Sequence, residues 1–112
     1  MDLKIEDPGR LLSEHLAWQV RERAEKLERF CRKVEQCRVV VDGPGQHPLP
    51  GQIRVRVFLT VPDTRIVINH VSGEDLLAAL GDSFDAAGQR LDDYAKASRQ
   101  SSKDAKHRPA RS

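Results

Sequence analysis

The sequence predicts an α+β domain, a four-stranded sheet with two helices packed on one face, in the order β-α-β-β-β-α. Three observations carry this. Residues 52–69, QIRVRVFLTVPDTRIVIN, hold two strand-like runs split by a turn. Apolar residues at helical spacing flank that hairpin on both sides. A hairpin with one apolar face is marginal in water, so the face needs a cover, and only the flanking helices can supply it.

Taken in order, Leu3 and Ile5 alternate with Asp2, Lys4 and Glu6, which predicts a short first strand ended by Asp7-Pro8-Gly9. Ser13 reads as an N-cap. Leu16, Val20, Ala24, Leu27, Cys31 and Val34 then share one face, predicting a helix over roughly residues 13–36. Its other side carries Arg21, Lys26, Arg29, Arg32 and Lys33 among Glu22, Glu25 and Glu28. Glu22 with Lys26, Glu25 with Arg29 and Glu28 with Arg32 have the spacing of supporting i,i+4 ion pairs. Trp18 projects near the polar side, as a ring lying over the helix edge or as a stacking residue.

Cys37–Asp42 predicts the second strand, followed by a Gly/Pro-rich loop through His47 to Gly51. That loop lacks the Lys-Ser/Thr pair of a phosphate-binding loop, and its prolines remove amide donors. In the hairpin, Ile53, Val55, Val57 and Leu59 take one face while Arg54, Arg56, Phe58 and Thr60 take the other. Val61-Pro62-Asp63-Thr64 turns the chain, and residues 65–69 return. Ser72 with Asp75 reads as a capping box. A second helix is predicted from about Gly73 to Ala97, with a stripe of Leu77, Leu80, Phe84, Ala87, Leu91 and Tyr94 and with Leu76 beside it. The polar stretch 98–112, closed by Pro109, reads as a basic disordered tail on a domain of residues 1–97.

The 112 residues allow one small domain with a modest core, not the large cleft of most metabolic enzymes. Charge is unevenly spread. Residues 1–97 hold 14 basic and 16 acidic groups, a net of −2, whereas 98–112 hold five basic and one acidic, a net of +4. Such a tail suits a polyanion or is simply a solvated end. Cys31 and Cys37 are too few for a disulfide scaffold and imply a reduced, cytoplasmic chain. The acidic N-terminus MDLKIEDPG has no leader-like apolar run, and no stretch has membrane-spanning length.

Catalytic chemistry finds no footing in the residue pattern. His15, His47, His70 and His107 are scattered, and no His/Cys/Asp group has metal-ligand spacing. Adjacent Asp92 and Asp93 point in different directions on a helix, and Ser72 and Ser83 lack a sequence-local base. The expectation is a non-enzyme without cofactor, metal or small-molecule substrate. The outer sheet face is more informative, because Arg54, Arg56 and Arg65 stand beside Phe58. This mixture serves nucleic-acid surfaces and equally a solvated protective face. Arg90, Lys96 and Arg99 extend a basic strip along the second helix, interrupted by Asp82, Asp85, Asp92 and Asp93.

The ordered segments resemble the ribosome hibernation-promoting factor and ribosome-associated inhibitor family, also described as sigma-54 modulation proteins. The similarity runs from Ser13 through Arg23-Ala24-Glu25-Lys26-Leu27 and Cys37-Arg38-Val39-Val40-Val41. It includes Val55-Arg56-Val57, Leu59-Thr60-Val61-Pro62 and Ile66-Val67-Ile68, and closes with Asp82-Ser83-Phe84-Asp85-Ala86-Ala87 and Gln89-Arg90-Leu91-Asp92-Asp93-Tyr94. The resemblance implies a protein that binds the small ribosomal subunit and its rRNA, occupies the decoding channel and silences translation under stress. It implies phosphate contacts from Arg21, Arg23, Lys26, Arg29, Arg32 and Lys33 on the first helix and from Arg90, Lys96 and Arg99 on the second. The chain is similar to short members, without the C-terminal domain of long ones, and its second helix is richer in Asp than the most basic members.

Two other readings stay open. A free double-stranded RNA module would bind a duplex of about 16 base pairs. A protein-interaction regulator, as a weak homodimer through the hairpin face or as an adaptor, would use Trp18 and Phe58 as contacts.

Overall fold

Period-two alternation in the hairpin sets the sheet, and the two amphipathic helices cover its apolar side. A computed structural model describes residues 1–43, 52–73 and 75–111, with side chains as far as Ser98. The elements are β1 (Asp2–Glu6), α1 (Glu14–Phe30), β2 (Gln36–Asp42), β3 (Ile53–Val61), β4 (Thr64–Ser72) and α2 (Leu76–Arg111). The expected β-α-β-β-β-α order and two-layer architecture are therefore present. The Gly/Pro-rich loop with His47 lies outside the described residues, as do Glu74 and the tail's side chains.

The sheet runs β1-β2-β3-β4, with β1 parallel to β2 and the other neighbours antiparallel. A parallel neighbour needs a crossover, and α1 supplies it. The β3–β4 turn is two residues long, since Val61 pairs with Thr64. Pro62 fixes φ near −65° and Asp63 takes φ 73°, the combination of a type II turn.

Inward-facing residues form one core. Val20, Ala24 and Leu27 from α1 meet Cys37, Val39 and Val41 from β2, Val55, Val57 and Leu59 from β3, and Ile66 and Ile68 from β4. Leu80, Phe84, Ala87 and Leu91 close it from α2. Tyr94 adds a hydroxyl bond of 3.1 Å to the Pro62 carbonyl, tying α2 to the hairpin turn.

Four boundaries depart from expectation. Helix α1 stops at Phe30 rather than near residue 36, because Cys31 turns extended (φ −139°, ψ 104°). The Glu35 amide then donates to the Thr60 carbonyl at 2.8 Å, drawing this stretch into the sheet, so Val34 is buried in a turn and not on a helix stripe. Strand β4 takes in the Ser72 backbone by pairing it with Ile53, and Asp75 caps α2, its carboxylate accepting from the Ala78 amide at 2.8 Å. With the helix starting at Leu76, Leu77 faces solvent (49% exposed) and Leu76 packs on the core. Lastly, the backbone of residues 98–111, expected as a disordered tail, continues α2. No Gly or Pro stands between Gly88 and Pro109, so nothing local breaks the helical backbone there.

Candidate nucleic-acid interface

The cations proposed from sequence fall on two opposite faces of the molecule. On the helix layer, Arg21, Lys26, Arg29, Arg32 and Lys33 are exposed and Arg23 is half-buried. Arg23, Lys26 and Arg29 line a surface depression of about 290 Å³ with Gln19 and Glu22. Between the helices, Leu27, Phe30 and Phe84 line an adjoining groove of about 180 Å³, which Arg23, Lys26 and Asp85 rim.

The i,i+4 ion pairs expected along α1 are absent from the described residues. Glu28 instead holds the Met1 amino group at 2.6 Å, and this hydrogen-bonded pair raises the amine's pKa. Arg21, Lys26, Arg29 and Arg32 therefore have no ion-pair partner among the described residues. Spacing permits a pair on a helix surface, but solvated charges gain only about 0.3–0.5 kcal/mol from forming one. Lys33 is engaged elsewhere, donating to Ser98 Oγ at 2.6 Å and joining the end of α1 to α2. On α2, Arg90 is exposed, whereas Lys96 pairs with Asp92 at 2.9 Å. The side chain of Arg99 lies outside the described residues. Trp18 is 55% exposed and stacks against His15 with ring centres 6.4 Å apart.

Arg54 and Arg56 do not join this set. They lie on the open sheet face, and both bond Asp42 Oδ2 at 3.0 Å. Asp42 is buried, 7% exposed, so the two guanidiniums are held by an internal counter-ion. Sequence reasoning missed that clamp and missed Arg38, which donates to both Glu6 oxygens at 3.1 and 2.8 Å. Strand alternation from buried Cys37 would have placed Arg38 outside. The Arg38 bond holds the Glu6 carboxyl below its usual range, and Arg38 itself is raised in turn.

The remaining reactive groups are structural. Ser83 is buried and its hydroxyl donates to the Ala79 carbonyl at 2.7 Å. Cys31 and Cys37 are buried free thiols, and burial pushes Cys37 up to about 12. Among the described residues no group of His, Cys, Asp and Glu could hold a metal ion, and no helix is long and apolar enough to cross a membrane.

Fold and site together define a small two-layer α+β protein whose helix layer presents solvated cations. Residues 9–99 match the family described as sigma 54 modulation protein / S30EA ribosomal protein, and the chain belongs to that family. Among solved structures, a ribosomal subunit interface protein from Coxiella burnetii is similar, at 16% identity and a TM-score of 0.68, covering 86% of this chain and 99% of that one. The N-terminal domain of Thermus thermophilus Protein Y is similar at 17% identity and a TM-score of 0.68, covering 84% and 99%. Comparison with curated protein sequences gives no match.

Proposed function

We propose that this protein binds the small ribosomal subunit through rRNA phosphate contacts from its helix layer, without catalysis. It blocks the decoding channel and so silences or protects idle ribosomes in the cytoplasm under stress. Family membership supports the ribosomal partner. The observation that carries the mechanism is the set of exposed cations Arg21, Lys26 and Arg29 on α1 and Arg32 in the turn after it, left without ion pairs among the described residues. A cation already neutralised by a carboxylate releases little on meeting a phosphate; a solvated one displaces condensed counter-ions from the RNA. Arg23 and Arg90 add to this layer, with Lys33 and Lys96 available only by exchanging Ser98 and Asp92 for phosphate.

Co-sedimentation with purified small subunits tests the proposal. The protein is expected in the subunit pellet at low salt and in the supernatant as salt rises, because phosphate neutralisation makes affinity fall steeply with salt. Absence from the pellet at low salt would overturn it.

A further inference from the structure

The open face of the sheet, turned away from both helices, gathers charge in a way that a solvated face does not need. Strand register places Lys4, Arg38, Phe58 and Val67 in one row across β1 to β4, with Gln36, Thr60 and Arg65 in the next row. The guanidinium carbons of Arg38, Arg56 and Arg65 lie 5.2, 5.9 and 5.9 Å from the Phe58 ring centre. Glu6 and Asp42 balance Arg38 and Arg56, but Asp42 is already shared with Arg54. Arg65 is exposed and has no carboxylate partner among the described residues. Lys4 reaches Glu6 only at 4.0 Å. Even with Asp2 at the corner, cations outnumber carboxylates on this face.

Of the three guanidiniums around the ring, Arg65 carries the charge that no carboxylate of the described residues offsets, and an incoming anion meets it there. Lys4, Arg38, Phe58 and Arg65 border an open dish of about 470 Å³, which Glu6 also lines, paired to Arg38. The cations around it reach from β1 to β4, three strand spacings or roughly 14 Å. One phosphate cannot meet both ends of such a span, whereas successive phosphates of a strand can. An exposed aromatic ring flanked by guanidiniums also offers a stacking platform for an unpaired base.

We propose that this face binds a single-stranded RNA segment, with phosphates on Lys4 and Arg65 and a base against the Phe58 cluster. The proposal does not rest on the helix layer, which lies on the other side of the sheet. A protein with both surfaces holds structured RNA on one side and an unpaired strand on the other.

Fluorescence anisotropy of a labelled mixed-sequence RNA of about ten nucleotides, within the usual range of single-strand sites, tests it with purified protein. Wild type binds at low salt. Arg65→Glu weakens binding about tenfold or more and Phe58→Leu about fivefold, while Phe58→Tyr retains it. Failure of the wild type to bind at low salt overturns the proposal, as does wild-type affinity in both Arg65→Glu and Phe58→Leu. Equal competition by poly-glutamate assigns the face to acidic peptides and overturns it. Displacement by adenosine monophosphate at matched nucleotide concentration replaces the strand with a free nucleotide and also overturns it.

Discussion

Replacing Asp42 with Asn isolates the clamp that orders the open sheet face. One oxygen, Oδ2, accepts from Arg54 Nε at 3.3 Å, from Arg54 Nη2 at 3.0 Å and from Arg56 Nη2 at 3.0 Å. The amide keeps an acceptor of similar shape but carries no charge, and its NH₂ turns a donor toward donors. A hydrogen bond to a charged group contributes about 1.5–3 kcal/mol, against about 0.5–1.5 for a neutral one. The side chains of Arg54 and Arg56 are 25% and 30% exposed, so water recovers part of the loss. The expected net cost of Asp42→Asn is about 2 kcal/mol, or roughly 8 °C in Tm for a domain of this size. Urea and thermal unfolding followed by far-UV circular dichroism measure it. A loss below about 0.5 kcal/mol, the range of ordinary surface substitutions, would refute the view that a buried carboxylate holds this face.

Other substitutions probe the packing and the titrating groups. Leu91→Ala empties a fully buried site where α2 meets the sheet and should cost about 3 kcal/mol in urea unfolding. Gly88→Ala should add about 0.5–1 kcal/mol, since a methyl there meets Leu27 Cδ2 at an ordinary 3.8 Å and a helix-interior glycine is removed. The Glu6 carboxyl should titrate below 4.5 by NMR and return toward that value in Arg38→Gln. Because its folded pKa is the lower one, its contribution to stability is complete above 4.5 and fades as pH falls through the folded value. Cys37, buried and shifted to about 12, should resist iodoacetamide at neutral pH in the native protein and react after unfolding.

The sequence made the sheet legible because alternation from Ile53 to Leu59 leaves one register in which the apolar side is covered. It misplaced the end of α1 because Val34 continues the helical spacing, while the force that ends the helix is a long-range backbone bond from Glu35 to Thr60. Pairing with Ile53 likewise takes the Ser72 backbone into β4, a long-range contact that local chemistry does not show. At the candidate site, exposure of the α1 cations was readable from the helical stripe, and their freedom was not. Glu28 has an arginine four residues on, yet the Met1 amine, distant in sequence, wins it. The clamp on Arg54 and Arg56 needed strand pairing, since only the register of β2 with β3 sets Asp42 beside Arg54.

The central claim, that solvated helix-layer cations hold the protein on rRNA, is tested most directly by charge removal in the sedimentation assay. The variant carries Arg29→Ala, Lys33→Ala, Arg90→Ala and Lys96→Ala, positions that are exposed on the helix layer. The account predicts that wild type travels with the small subunit at low salt and that this variant, still folded by circular dichroism, stays in the supernatant. Arg54→Ala with Arg56→Ala, on the opposite face, should still pellet if folded. Co-sedimentation of the helix variant at wild-type level would contradict the claim.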